Sequence, residues 1–126
     1  LVAEDNDINR EVILGLLEEF GYRAECVRDG EEAVRRACDP DTHWHLILMD
    51  IEMPLLDGLT AAQRIRAWEA DQYRNATPII ALTAHAMRSY AEKIRQAGMD
   101  DHLTKPIEMR HLQNMLDKWL LTTTSQ

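Results

Sequence analysis

His45-Leu46-Ile47-Leu48-Met49-Asp50 sets the architecture of this chain. From Leu46 to Met49 the run is large and apolar with no polar face, and it stops at a carboxylate. A strand of that kind must be covered on both sides, as strands inside a parallel sheet are. Pro78-Ile79-Ile80-Ala81-Leu82 has the same character and stops at Thr83. Between the two runs, Pro54 and Asp57-Gly58 make a loop, and Leu59, Ala62, Ile65 and Trp68 follow at helical spacing. Strand, helix and strand in this order read as a βαβ unit.

The same rhythm extends outward. Upstream, Leu1-Val2-Ala3 reads as a short strand ending in Glu4-Asp5-Asn6-Asp7, with Asp7 expected to cap a helix. That helix carries Ile8, Val12, Ile13, Leu16, Leu17 and Phe20 on one stripe and stops at Gly21. Ala24 and Cys26, alternating with Arg23, Glu25 and Val27, read as an edge strand. Asp29-Gly30 then turns into a short helix with Ala33, Val34, Ala37 and Cys38 on one face.

Downstream, Met87, Tyr90 or Ala91, Ile94 and Ala97 keep a helical period up to Gly98. A short strand near 101–104 ends at Lys105-Pro106, and a last helix carries Met109, Leu112, Met115, Leu116 and Trp119. Polar residues 69–77 read as a connection. The methionines at 87, 99, 109 and 115 are expected in the core. The expected architecture is β-α five times over: an α/β domain with a parallel sheet and helices on both faces. It occupies 1–121, with 122–126 as a tail.

Composition narrows the function. The 126 residues suit one domain, and 45% apolar with 29% charged residues is globular composition. Lys and Arg number 14 against 22 Asp and Glu, for a net charge of −8. Such a domain is repelled by nucleic-acid phosphates and has no polybasic cluster to hold an anionic membrane. No apolar run exceeds four residues, so nothing spans a bilayer. Cys26 and Cys38 show no paired spacing and read as buried thiols of a reducing compartment, the cytoplasm. With only three residues before Glu4, the first strand is expected to continue upstream.

Chemistry-bearing residues collect at one kind of place. Glu4-Asp5, Asp50, Thr83 and Lys105 each stand at the carboxyl end of an expected strand, the edge where open α/β sheets bind ligands. Glu4, Asp5 and Asp50 sum to −3, and Lys105 brings the cluster to −2, the charge a divalent ion neutralises. Carboxylate oxygens without His or Cys favour Mg²⁺ over zinc. An aspartate beside a bound cation can attack phosphorus and form an aspartyl-phosphate. Other features read blandly. His43-Trp44-His45 fits surface and edge positions, and Asp5-x-Asp7-x-Asn9 fails as a calcium loop at Arg10 and Leu16.

Val2-Ala3-Glu4-Asp5-Asn6, Leu48-Met49-Asp50-Ile51-Glu52-Met53-Pro54 with Asp57-Gly58, Ala81-Leu82-Thr83-Ala84 and Thr104-Lys105-Pro106 together resemble the receiver (response-regulator) domain of two-component phosphorelay signalling. Ile79 to Met87 and Gly98-Met99-Asp100-Asp101 are most similar to receivers of hybrid sensor histidine kinases. The resemblance implies a flavodoxin-like sheet of order 2-1-3-4-5. It makes Asp50 the phosphoacceptor for a phosphoryl group from a phosphohistidine. It assigns Mg²⁺ to the Asp5 and Asp50 carboxylates and the Glu52 backbone carbonyl, with Glu4 acting through a water. Lys105 would pair with a phosphoryl oxygen and Thr83 would donate its hydroxyl, with a cis bond before Pro106. Glu52 and His85 would flank the path of a hydrolytic water. Thr83 and the residue at position 102 would form the conformational switch, and His102 stands where the family usually has Tyr or Phe.

The implied partners are a histidine kinase or a histidine phosphotransfer domain, with no nucleic acid and no direct membrane contact. The implied location is the cytoplasm, including the cytoplasmic part of a membrane-bound sensor kinase. On this reading the domain is a signalling module and not a multiple-turnover enzyme. An aspartyl-nucleophile phosphatase is the alternative, since Asp50-x-Glu52 loosely resembles a nucleophile followed by an acid. Flavin binding is a third reading that Glu4-Asp5-Asn6-Asp7 disfavours, because its three carboxylates repel a phosphate without a metal.

Overall fold

The computed structural model describes residues 1–84 and 88–121. Five strands and five helices alternate: β1 Val2–Ala3, α1 Asp7–Glu19, β2 Cys26–Val27, α2 Gly30–Ala37, β3 Ile47–Asp50, α3 Gly58–Asp71, β4 Ile79–Thr83, α4 Arg88–Gln96, β5 Asp101–Thr104 and α5 Met109–Leu116. Asp117–Leu121 continues α5 as a wider π-type turn. The strands form one sheet in the order β2-β1-β3-β4-β5. Every pairing is parallel, with Val2 opposite Cys26 and Leu48, Leu48 opposite Ile80, and Ile80 opposite Asp101. The α/β expectation and the 2-1-3-4-5 order both hold.

Each central strand splits its side chains between two cores. Ile47, Met49, Ile79 and Ala81 pack with Ala33, Ala61, Ala62, Ile65 and Ile94, which belong to α2, α3 and α4. Leu48, Ile80 and Leu82 pack with Ile13, Leu17, Leu112 and Leu116 of α1 and α5. This explains why β3 and β4 carry no polar face. Leu48, Ile80 and Leu82 are at most 1% exposed, and burying each is worth about 1.5–3 kcal/mol.

The starts of α1, α2 and α3 carry side-chain caps. The Asp29 and Asp57 carboxylates accept the Glu32 and Thr60 amides, both at 2.8 Å. At α1 the cap is Asn6 and not Asp7: Asn6 Oδ1 accepts the Asn9 amide at 2.9 Å. Asp7 instead enters the first turn, where its charge suits the helix dipole and pairs with Arg10. Gly21 and Gly98 end α1 and α4 with φ of 87° and 94°, a region L-residues rarely enter.

Four further expectations are corrected. Ile8 and Val12 share the apolar stripe of α1 but are 73% and 46% exposed, because the sheet covers only the Ile13–Leu17 side of the helix. Cys26 and Cys38 are half-buried free thiols. One sits on the two-residue edge strand β2 and the other caps α2, so neither has neighbours on all sides; burial nevertheless pushes both thiols up. Met109 is 53% exposed at the first turn of α5, whereas Met99 is in the core. The polar stretch 69–77 is not all connection: α3 runs through Asp71, and Glu69 is buried at 5% exposure. Met87 and 122–126 lie outside the described residues.

Arg66 makes that burial tolerable. Its guanidinium donates to Glu69 Oε1 at 2.7 Å, Asp100 Oδ2 at 2.8 Å, the Thr77 carbonyl at 2.9 Å and the Gly98 carbonyl at 2.8 Å. Glu69 Oε2 accepts the Thr77 amide at 2.9 Å. Next to Asp100, on the α5 side, Asp101 Oδ1 accepts the adjacent His102 amide at 2.9 Å, and Oδ2 accepts Lys118 Nζ at 2.9 Å and Trp119 Nε1 at 3.2 Å.

Candidate functional site

The carboxyl ends of β1, β3, β4 and β5 converge, as parallel strands in register require. Glu4 follows β1 with 0% exposure, Asp50 ends β3 at 2%, and Thr83 ends β4 at 1%. Asp5, one residue further from the core, is solvent-exposed. Lys105 follows β5, and its amide donates to the Thr83 carbonyl at 2.7 Å. The Lys105–Pro106 bond is cis.

Lys105 Nζ lies 2.9 Å from Asp50 Oδ2 and 3.1 Å from Glu4 Oε2. One ammonium therefore bridges two buried carboxylates. Glu4 Oε1 also accepts the Asn6 amide at 3.2 Å, but Glu4 Oε2 has no well-directed hydrogen bond. Asp50 Oδ1 accepts the Glu52 amide at 3.0 Å. Carboxylate oxygens of Glu4, Asp5 and Asp50 come within 4.8 Å of one another. Three carboxylates against one ammonium leave the cluster short of positive charge, and a buried oxygen without a directed donor adds to that shortfall. The donor set is all oxygen, which fits a hard divalent cation.

The charges perturb each other as expected. Burial raises the Asp50 carboxyl above its usual range and the Glu4 charge adds to this, while the Glu52 amide and Lys105 pull the other way. Burial works to lower the Lys105 ammonium, but the hydrogen bond and charge of Asp50, with the Glu4 charge, outweigh it and raise it. Lys105 is therefore a firm cation.

Two residues outside the expected set shape the site. Gly58 opens α3 directly under β3: a Cβ there would stand 2.2 Å from the Asp50 carbonyl oxygen. Its amide donates to the Ile51 carbonyl at 3.1 Å. Arg10 reaches back from α1 to the Glu4 carbonyl at 3.3 Å. The sequence signal for Gly58 was its place in Asp57-Gly58, read as a loop and as part of the receiver resemblance but not as a site residue; for Arg10 it was the three-residue spacing from Asp7. His102 is half-buried in a cleft between β5 and α5 lined by His111, Asn114, Met115 and Lys118. His85 lies outside the described residues. No helix among the described residues is long and apolar enough to cross a membrane.

Comparison with known proteins gives this arrangement a context. The family description "Response regulator receiver domain" matches residues 1–117. The sensor protein GacS of Pseudomonas syringae pv. syringae is 42% identical over 119 residues, which are 94% of this chain and 13% of GacS. The signal transduction histidine-protein kinase BarA of Escherichia coli K12 is 42% identical over 116 residues, 92% of this chain and 12% of BarA. The chain thus spans about an eighth of the length of these relatives. Among solved structures, the receiver domain of the Pseudomonas aeruginosa sensor histidine kinase PA1611, with magnesium coordinated in its active-site cleft, matches with TM-score 0.83 and 43% identity. That match covers 94% of this chain and 93% of the other. The receiver domain of Saccharomyces cerevisiae Ssk1, solved with the histidine phosphotransfer protein Ypd1, matches with TM-score 0.90 and 29% identity, covering 97% and 88%. With its five parallel strands, its carboxylate cluster bridged by Lys105 and this match along its length, the chain belongs to the response regulator receiver domain family.

Proposed function

We propose that residues 1–121 form a receiver domain in which Asp50 is the phosphoacceptor. The observation that carries this reading is Lys105 Nζ at 2.9 Å from Asp50 Oδ2, on the floor of a three-carboxylate cluster. An Asp50 carboxylate oxygen attacks the phosphorus of a phosphohistidine. The O–P bond forms, the P–N bond breaks, and the donor imidazole leaves with the electron pair. Lys105, already charged and held at Asp50, pairs with a phosphoryl oxygen as negative charge arrives. Thr83, buried at the end of β4, donates its hydroxyl to another.

Asp5, Asp50 and the Glu52 backbone carbonyl would hold Mg²⁺, with Glu4 acting through a water. The ion supplies charge neutralisation for the incoming phosphoryl oxygens. Magnesium in the cleft of the PA1611 receiver supports this assignment. Thr83 and His102 would carry the phosphorylation signal toward the β5–α5 surface.

The partners follow from the relatives. A histidine kinase or a histidine phosphotransfer domain supplies or accepts the phosphoryl group, as the GacS and BarA matches and the Ypd1 complex of Ssk1 support. Ile8 and Val12 on α1 and Leu55 after β3, at 73%, 46% and 77% exposure, offer apolar contacts beside the site. The parent is a hybrid sensor kinase with this domain in the cytoplasm, and nucleic acid and membrane are not its ligands. The domain is a stoichiometric acceptor, not a multiple-turnover phosphatase.

Incubation with acetyl phosphate and Mg²⁺ tests the reading. One acid-stable, hydroxylamine-labile phosphoryl group per chain is expected, abolished by Asp50→Asn or by a chelator. Label on Ser, Thr or His, or continuous turnover of phosphate esters, overturns it.

A further inference from the structure

We propose that Arg10 is a positioning residue that holds the Glu4–Asp7 loop in the shape that aims Asp5 at the cation. The inference rests on the reading of Glu4, Asp5 and Asp50 as cation ligands. Asp5 is the exposed member of the three, so burial does not fix it. Arg10 touches the loop on both sides of it. Nη1 donates to the Glu4 carbonyl at 3.3 Å, Nη2 pairs with Asp7 Oδ1, and the Arg10 amide donates to the Asn6 carbonyl at 2.9 Å. The Arg10 side chain is only 12% exposed, against 74% for Asp7, so the anchor is the inner partner of the pair. A guanidinium fork can span a carbonyl and a carboxylate at once; an ammonium is a single point and cannot.

Charge and position predict opposite outcomes. As a cation near the cluster, Arg10 opposes a divalent ion, and removing it by charge alone tightens binding. As a clamp, it spares the ion the cost of ordering the loop, and removing it loosens binding. The clamp dominates because the guanidinium reaches the backbone of Glu4 itself, while its own charge is already paired with Asp7.

The test uses Arg10→Lys, which keeps the charge, and Arg10→Met, which removes it. Mg²⁺ is titrated against the whole 126-residue chain while the Asp5 and Glu52 amide resonances are followed. Both variants are expected to bind Mg²⁺ about tenfold more weakly, the loss seen when groups that orient metal ligands are removed. Saturating Mg²⁺ should restore phosphorylation of both. Without metal, exchange of the Asn6 and Asn9 amides, which are bonded to Glu4 Oε1 and Asn6 Oδ1, should quicken about tenfold in both variants, as local opening becomes easier. Arg10→Met binding Mg²⁺ as tightly as the native chain, Arg10→Lys matching it, or unchanged exchange overturns the proposal. A native chain whose Asp5 and Glu52 resonances ignore Mg²⁺ instead overturns the cation-site reading, and the exchange rates still decide whether Arg10 holds the loop.

Discussion

Asp50→Asn should stabilise the metal-free domain. Lys105 Nζ is 2.9 Å from Asp50 Oδ2, an attraction of about 6 kcal/mol at an effective dielectric of about 20. Glu4 and Asp5 offer carboxylate oxygens within 4.8 Å of Asp50. At that dielectric Glu4 repels by about 3.5 kcal/mol, and Asp5, facing water, by about 1 kcal/mol. A net attraction of about 1.5 kcal/mol remains, less than the several kcal/mol lost on burying a carboxylate. The raised Asp50 carboxyl carries the same sign. Asparagine keeps an acceptor for the Glu52 amide, and Lys105 keeps Glu4 at 3.1 Å.

Urea and thermal unfolding in chelator should therefore show Asp50→Asn more stable by about 1–2 kcal/mol, roughly 4–8 °C in Tm. Mg²⁺ at ten times its Kd adds about 1.4 kcal/mol to the native chain and little to the variant, so the gap closes. A carboxyl whose folded pKa is raised contributes stability below its unfolded pKa and loses it as pH rises through the folded one. The variant's advantage should accordingly appear as pH climbs through the raised Asp50 value and vanish in acid. A variant less stable than the native chain in chelator, or equal Mg²⁺ stabilisation of both, refutes this reasoning.

Three further outcomes are expected. Gly58→Ala, whose Cβ would sit 2.2 Å from the Asp50 carbonyl, should cost about 2–4 kcal/mol in urea unfolding and slow phosphorylation by acetyl phosphate; native behaviour in both would show that the α3 start is not tightly seated. Arg66→Met leaves the buried Glu69 carboxylate without its counter-ion and should cost about 3–5 kcal/mol, part of which Glu69→Gln recovers in the double variant; additive losses would count against a coupled pair. Burial works to raise the Asp101 carboxyl, but the hydrogen bonds from Lys118, the His102 amide and Trp119 outweigh it and leave it below its usual value, so its stabilisation is present above the unfolded pKa and lost as pH falls through the folded one. Asp101→Asn should then cost about 1 kcal/mol at neutral pH and progressively less as pH falls toward the lowered Asp101 value, and a pH-independent difference would remove the charge from the explanation.

The order of elements was legible because β3 and β4 are covered on both faces, and double coverage writes itself as Leu46 to Met49 and Ile79 to Leu82 without polar interruption. The site was legible because parallel register makes strand ends meet, so residues far apart in sequence, Glu4, Asp50, Thr83 and Lys105, could be placed together from position alone. What escaped depends on neighbours that sequence spacing does not contain. Ile8 and Ile13 look alike on a helical stripe, and only the width of the sheet beneath decides that one is bare. Glu69 looks like loop polarity until Arg66, three residues earlier, supplies its counter-charge. Asn6 and Asp7 are both good caps, and the choice fell to the one that lets Asp7 meet Arg10.

A sheet with open ends invites another chain to add a strand, and the four-residue edge β5 is where this domain would be vulnerable. Asp101 folds its own Oδ1 onto the adjacent His102 amide, occupying a donor that a visiting strand would seek. Its other oxygen is tied to Lys118 and Trp119, so the blockade is anchored by the π-type turn. A second copy meets a carboxylate where it needs a peptide group. The edge is thus closed to strand addition at His102 by a carboxylate that the same chain supplies and holds in place.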